Sequence, residues 1–302
     1  MKSLSAKETP LISVVIATYN RSGLLKETID SVLKQTFREF ELIVVDDGST
    51  DDTERALQSY GDRLRYFRQA NRGPSAARNF GVAQALASWI SIQDSDDLCA
   101  PDHLETLYNF VKENPDVGMV FANGSYIDDP GGKTIIPREK SKRLAEKGVQ
   151  LHDLFSTSIV RLQAALLSKA ALLSIGGLDE NLRIAMDLDL AFRFFMSFPV
   201  AYIDKTVFSY RRHEGNIGRN NELRLVENLR VMEKLVQEFP GAIQILGLQN
   251  IKRRKAYRYY RLSKSRWKAG EKDKAREALR QAISLRPFFL KYRLYQALEA
   301  AF

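Results

Sequence analysis

An α/β fold with a mainly parallel sheet is predicted for the first 215 residues, followed by a smaller helical appendage. Two observations predict the front module. Short apolar runs rich in β-branched residues alternate with stretches of helical spacing, the pattern of βαβ units. Each run also ends in a polar cluster, and in open parallel sheets ligands bind beyond the carboxyl ends of the strands. A third observation separates the tail. From Asn216 onward there are 20 Lys and Arg against 8 Asp and Glu, whereas the residues before it hold 26 against 29. The expected division is a flexible lead-in over 1–10, a catalytic-size module over 11–215 and a basic helical region over 216–302.

The elements follow in chain order. Leu11 to Ala17 is a nearly continuous apolar run, as expected of a strand buried on both faces. Leu24, Leu25, Thr28, Ile29, Val32 and Leu33 recur at helical spacing, with Ser22 as the expected N-cap. Glu41 to Val45 is a second buried strand, and Asp46-Asp47-Gly48-Ser49-Thr50-Asp51 is a turn leading into a new helix. Arg65 to Phe67, Pro74 to Leu86 and Trp89 to Ile92 repeat the strand–helix–strand order. The strand ends carry Thr18-Tyr19-Asn20, Asp46-Asp47 and Asp94-Ser95-Asp96-Asp97, so all three clusters are expected to meet in one crevice.

The last cluster holds three acids in four residues. Such crowding is costly unless a cation neutralises it, and hard divalent ions take carboxylate oxygens. The alternative is a solvated acidic turn before the helix expected from Pro101. For Asp46 and Asp47 the alternative is an Asx-turn into the next helix.

Several spaced motifs together resemble family 2 glycosyltransferases of GT-A fold. They are Val14-Val15-Ile16-Ala17-Thr18-Tyr19-Asn20, Ser31 to Phe37, Val44 to Asp51, Asn71 to Asn79 and Asp94-Ser95-Asp96-Asp97. The resemblance covers roughly residues 11–215. It implies a nucleotide-sugar donor and a Mn²⁺ or Mg²⁺ ion at a DxD motif. On that basis Asp47 would accept from the N3–H of a uracil-like base, in a pocket walled by Ala17, Thr18 and Tyr19. Arg78 would lie near the phosphates or base. Asp94 and Asp96 would form the DxD pair with Ser95 between them, and Asp97 would be the alternate metal contact. Met186-Asp187-Leu188-Asp189-Leu190 matches the run in which relatives carry Glu-Asp-x-Asp-Leu, which places the catalytic base at Asp187. An acceptor hydroxyl has a very high pKa and must lose its proton as it attacks, hence the need for a base. Met186 departs from the pattern, and the missing acid would make that base somewhat weaker. Helix capping is the other reading of Asp187 and Asp189. After the strand expected over Val200–Phe208, Arg211 would pair with a phosphate and His213 would join the metal site. The processive members' Gln-x-x-Arg-Trp motif is absent from the sequence, so addition of a single sugar is expected.

Between these motifs, Val117 to Phe121 is expected as a strand and Asp129-Pro130-Gly131-Gly132 as a hairpin turn. The charge-rich stretch Arg138 to Lys147 is expected as a mobile loop. Thr157 to Val160 and Ala164 to Leu167 are expected as strands lining an acceptor cleft. In the tail, Leu223 to Val236 is helical, and Ala256 to Pro287 resembles one tetratricopeptide-like hairpin turning at Gly270. Ala275, Leu279 and Ala282 fall on its packing face. Lys252 to Lys268 holds nine cations and no acid, with Tyr259, Tyr260 and Trp267 interleaved. That mixture suits an anionic membrane surface. Nucleic acid is not expected, because the front module carries no motif for it.

Net charge is +9, with 44% hydrophobic residues and 27% charged. These are globular values. The single Cys99 rules out an internal disulfide and fits a reducing compartment. No apolar run reaches ~18 residues, and the first ten residues lack the apolar core of a secretory signal. The expectation is a cytoplasmic enzyme, peripheral at the inner face of the membrane, acting on a glycan or lipid-linked acceptor with a UDP-sugar. Two other readings are a GT-A protein that has lost catalysis and a sugar nucleotidyltransferase. Against the second, Thr18-Tyr19-Asn20-Arg21-Ser22-Gly23 is not the Gly-rich phosphate loop such enzymes carry.

Overall fold

A computed structural model describes residues 9–128, 132–135, 138–156, 160–213 and 215–301. The chain divides into two compact units. Among the described residues, one unit holds 9–149 and 160–213; the other holds 150–156 and 215–301.

The first unit is built on a nine-stranded mixed sheet. In chain order its elements are β1 (Ile12–Thr18), α1 (Ser22–Leu33), β2 (Phe40–Asp46), α2 (Thr53–Leu57), β3 (Arg65–Arg68), α3 (Pro74–Gln84) and β4 (Trp89–Asp94). These are the expected βαβ units, and β3, β2, β1 and β4 lie side by side in parallel. β1 is buried along almost its whole length, as its unbroken apolar run requires. Helix α3 lies close on β1 at Gly81, where any Cβ would overlap the Val15 side chain.

The sheet continues beyond β4. After β5 (Leu98–Cys99) and α4 (His103–Glu113) come β6 (Met119–Asp128), β7 (Gly132–Ile135) and α5 (Arg138–Lys147). α6 (Leu151–Ser156) belongs to the second unit, and β8 (Ala165–Ser168), α7 (Lys169–Ser174), α8 (Met186–Ser197) and β9 (Val200–Arg212) complete the first. Strand order is β3-β2-β1-β4-β8-β6-β9-β5, with β7 added on β6. β8 runs antiparallel to β4 and β6, while β6 and β9 are parallel over a bulged register. This is the GT-A architecture.

Several expectations are corrected here. Arg138 to Lys147 is a helix rather than a loop: Arg, Lys, Glu, Leu and Ala are good helix formers, and Leu144 is buried. The helix after the acidic cluster starts at His103, two residues beyond Pro101. Ser22 is the first residue of α1 instead of its cap, and its N–H donates to Asp51. β6 and β9 are much longer than expected, so Tyr210, Arg211 and Arg212 lie within a strand. The hairpin of β6 and β7 is present, but its expected turn at 129–131 lies outside the described residues, as does the expected strand at 157–159.

The second unit is helical: α9 (Asn221–Glu238), α10 (Gly241–Leu246), α11 (Leu248–Lys268), α12 (Lys272–Leu285) and α13 (Leu290–Ala301). Gly270, at φ +80°, turns α11 into α12, and Ala275, Leu279 and Ala282 are buried on the packing face. Tyr260 is buried too. It stacks on Tyr292 and Tyr295 at centroid distances of 5.0 and 5.3 Å. The aromatics expected at a membrane interface are therefore partly core: Tyr259 is half-buried near Glu233, and Trp267 is half-buried beneath Lys272.

Beneath the end of β4 sits His103, fully buried. Its Nδ1 lies 3.1 Å from the Val207 carbonyl, so it donates there; its Nε2 lies 3.3 Å from the Gln93 amide nitrogen, so it accepts. An accepting Nε2 requires a neutral ring, and burial depresses the pKa to about 4. The unfolded chain therefore takes up a proton as pH falls through 6.5, while the folded ring resists until about 4. Wild-type protein should be more stable than His103→Gln at pH 7 and lose that advantage between pH 6.5 and 4, measured by chemical denaturation. An advantage independent of pH would show that the ring is not held neutral.

Candidate active site

Strand register brings the polar clusters together. Thr18 pairs with Asp46 across β1 and β2, and Ala17 pairs with Asp94 across β1 and β4. Asp47 donates its backbone N–H to the Thr18 carbonyl at 2.9 Å. The β1 end turns sharply at Asn20, whose φ of +51° is tolerated because Asn bonds locally: its Oδ1 accepts from the Thr50 N–H at 2.7 Å. Tyr19 stays half exposed, whereas the Thr18 side chain is buried with its hydroxyl unpartnered.

Asp46 and Asp47 have separate partners. Asp46 makes the turn: its Oδ1 accepts from the Ser49 N–H at 2.7 Å and its Oδ2 from the Tyr66 hydroxyl at 2.9 Å. Asp47 instead accepts from the Arg72 and Gly73 backbone N–H groups at 2.9 and 2.8 Å and from the Gln69 amide at 2.7 Å. This fixes the loop before α3. A carboxylate has about four lone-pair sites, so Asp47 keeps room for one more donor.

Asp94, Asp96 and Asp97 bring carboxylate oxygens within 4.8 Å of one another at the end of β4. Ser95 between them is buried. Cations and amides from five directions hold this cluster. Arg78, reaching from α3, pairs with Asp94, and the Gln163 amide donates to the same carboxylate. Arg21 pairs with Asp96 from the start of α1. His213 Nε2 lies 2.9 Å from Asp96 Oδ2. The Arg211 N–H donates to Asp97 Oδ1 at 2.9 Å, while its guanidinium pairs with Glu27 at 2.6 Å and donates from Nε to the Asp96 carbonyl at 3.2 Å. Burial, then the charges of Asp94 and Asp96, push the Asp97 carboxyl well above the usual range. Its Oδ2 is buried with no hydrogen-bond partner. An orphaned buried oxygen among three crowded carboxylates, with an imidazole alongside, is the donor set of a hard divalent cation. The site fits such an ion.

Asp187 sits in the first turn of α8, half-buried. It does not cap the helix, since the N-cap is Ala185 and no side-chain cap bond forms. Burial, with the charge of Asp94 second, raises its pKa to about 6, against the opposing pull of Arg78 and Arg161. Asp189, two residues on, is buried in a two-point ion pair with Arg193 at 2.6 and 2.8 Å. It ties α8 to the Ile175 carbonyl, to which Arg193 also donates. Met186 turns away from Asp187, its sulfur lying against Arg78 and Ser75. An acid at 186 would thus meet Arg78 first, and the basicity of Asp187 is set by burial and Asp94.

Four residues of this crevice carry no expected role from the sequence: Arg21, Gln163, Arg161 and Tyr126. Arg161 donates to the Tyr126 hydroxyl at 3.3 Å and lies 5.2 Å over the Tyr210 ring, near enough to Asp187 for the two charges to interact. The available signal was a polar Arg161 and Gln163 directly before a buried strand.

Comparison with known proteins agrees with this fold. Residues 13–172 match the glycosyl transferase family 2 model, and the chain belongs to that family. An uncharacterized glycosyltransferase of Rickettsia typhi is 32% identical over 209 residues, which span 68% of this chain and 65% of that relative. S. aureus TarS in complex with UDP-GlcNAc superposes with a TM-score of 0.67 at 22% identity, over 91% of this chain and 81% of that one. The mannosyltransferase PcManGT from Pyrobaculum calidifontis, in complex with GDP-Man and Mn²⁺, gives 0.64 at 20% identity over 96% and 84%.

The carboxylate cluster generates a direct expectation. Asp96→Asn should weaken Mn²⁺ binding by at least about tenfold in calorimetry, since it removes one of the converging charged oxygens. Unchanged Mn²⁺ affinity with the fold intact would move the cation site elsewhere.

Proposed function

We propose that this protein is an inverting, metal-dependent glycosyltransferase. It moves one sugar from a nucleotide donor, a UDP-sugar, onto a hydroxyl of a glycan or lipid-linked acceptor in cell-surface polysaccharide or glycolipid synthesis. The observation that carries the reading is Asp187, a half-buried carboxylate with its pKa lifted to about 6, beside an acidic cluster that fits a divalent ion. A base poised near neutrality suits removal of a hydroxyl proton.

Each residue has a distinct task in this reading. Asp47 uses its remaining lone pair to accept the N3–H of the base, between Ala17, Thr18 and Tyr19. Asp94, held by Arg78 and Gln163, faces the ribose. Asp96, Asp97 and His213 would hold Mn²⁺ or Mg²⁺, which would supply positive charge to the departing diphosphate. Arg21 and Arg78, paired with Asp96 and Asp94, stand where they can also meet the donor phosphates. Asp187 takes the acceptor proton while the acceptor oxygen bonds to the anomeric carbon from the face opposite the breaking bond to phosphate oxygen, which inverts the centre.

Asp187→Asn keeps the shape and removes the proton acceptor. Sugar transfer should drop by about 10²–10⁴-fold with donor affinity nearly unchanged. The wild-type rate should rise with pH through a limb at or below about 6, because a cation on the acidic cluster relieves the repulsion from Asp94. Comparable turnover in the variant would pass the role to another carboxylate. Donor binding with no transfer in wild-type protein would leave a nucleotide-sugar-binding protein.

The proposed setting is the cytoplasmic face of an anionic membrane, touched peripherally. No helix among the described residues is long and apolar enough to cross a membrane. Support comes from the turn between α12 and α13 and the start of α13, where Phe288, Leu290 and Leu294 are 97%, 69% and 57% exposed beside Arg286 and Lys291. Wild-type protein should sediment with anionic vesicles and not with neutral ones, and Phe288→Ser should reduce the fraction that survives added salt. Equal sedimentation of both proteins would remove this contact from the reading.

A further inference from the structure

The longest helix of the second unit carries a feature that a glycosyl-transfer site does not use. Arg254, Tyr257, Arg261, Lys264 and Lys268 follow one another at spacings of three and four residues, so they form a single stripe along α11. At 1.5 Å per residue the stripe is about 21 Å long. It is not a flat surface. Two cavities of about 290 and 330 Å³ open along it, and both are lined by Tyr257, Tyr260 and Lys291 of α13. One extends along Arg261, Lys264 and Lys268; the other runs past Arg254 toward Arg286 and Phe289.

No Asp or Glu is among the residues that line the two cavities. Lys255 with Glu233 and Arg266 with Glu222 are ion pairs that α11 makes outside the stripe. Lys264 and Lys291 lie instead against the Tyr260 ring at 5.9 and 5.5 Å. Arg258, beside the stripe, has its pKa drawn down to about 10 by burial and then by Arg254 and Arg261. A guanidinium that loses stability to its neighbours marks a local excess of positive charge.

We propose that this groove binds a linear anionic glycan, one whose repeating units carry carboxylate or phosphate groups. A row of cations one helical turn apart matches charges that repeat along a chain better than it matches one phosphate. Tyr257, half exposed at the centre of the row, offers a ring face to the C–H side of a pyranose between flanking charges. Grooves of this volume suit a single chain, whereas a bilayer would meet the exposed apolar side chains of Phe288, Leu290 and Leu294. The choice of glycan over nucleic acid rests on the glycosyltransferase reading. The presence of a polyanion site does not.

The test is fluorescence anisotropy with a labelled oligoglucuronate of about eight units, run beside neutral maltooligosaccharide, oligodeoxythymidine and anionic vesicles. Oligoglucuronate should bind with an affinity that falls as salt is raised, and the neutral chain should not bind. Arg261→Gln/Lys264→Gln/Lys268→Gln should bind about tenfold more weakly, the combined effect of three exposed pairs. The single variant Lys264→Gln, at an exposed position, covers the case in which the triple variant fails to fold and should itself bind measurably more weakly. Mn²⁺-dependent UDP-sugar hydrolysis should be unchanged in both variants, so loss of glycan binding is separable from failure of the transfer reading. Unchanged oligoglucuronate affinity in a folded variant overturns the site. So does equal binding of the neutral chain, or tighter binding of oligodeoxythymidine or vesicles that the same substitutions weaken.

Discussion

Like charges at the end of β4 set the problem that the first unit is arranged to solve. Asp94, Asp96 and Asp97 bring their oxygens within 4.8 Å of one another, and burial together with that crowding pushes the Asp97 carboxyl well above its normal pKa. Their neighbours come from widely separated parts of the chain: Arg21 before α1, Arg78 in α3, Gln163 before β8, Arg211 and His213 around the end of β9. Burying that many acids without these partners would be strongly unfavourable. The fold of the first unit therefore converges on the cluster, with α3, the segments leading into α1 and β8, and the end of β9 each supplying a group that makes it tolerable. A divalent ion would take over part of that task and release Arg21 and Arg78 to other anions.

The same crowding tunes Asp187. Burial and then repulsion from Asp94 raise its pKa, while Arg78 and Arg161 pull the other way, and the balance falls near 6. Arg78 thus acts on two acids at once, pairing with one and stabilising the ionised form of the other. Met186 sets a sulfur rather than a carboxylate against Arg78, so Arg78 meets no third acid there.

Much of this was legible in the sequence, for a physical reason. Parallel strands buried on both faces must be continuously apolar, so β1, β2 and β4 could be read directly, and the polar residues closing each run had to share one edge of the sheet. Asp94, Asp96 and Asp97 stood out because three acids in four residues are costly without a cation, whereas Asp47 and Asp187 were marked by the resemblance to family 2 glycosyltransferases. The partners were not legible. Arg21, Arg161 and Gln163 carry residue types common on any surface, and only the antiparallel insertion of β8 beside β4 brings Gln163 to Asp94. The helix at Arg138 to Lys147 was read as a loop because its charge density resembles a linker, although its residue types favour helix.

The tail shows the opposite limit. Its nine cations over Lys252 to Lys268 were plain in the sequence, but composition treats them as one group, whereas the helix sorts them. Lys255 and Arg266 are spent on Glu233 and Glu222. Arg258 is partly withdrawn from water. Arg254, Arg261, Lys264 and Lys268 align with Tyr257 along one groove. Tyr260, which looked interfacial, anchors that groove from below by stacking on α13. A basic helix packed against a second helix has fewer charges available than its sequence suggests, and those that remain are ordered in a line. Order of that kind favours a ligand with its own repeat over a diffuse charged surface, which is why the stripe and the exposed apolar turn are better understood as separate surfaces with separate partners.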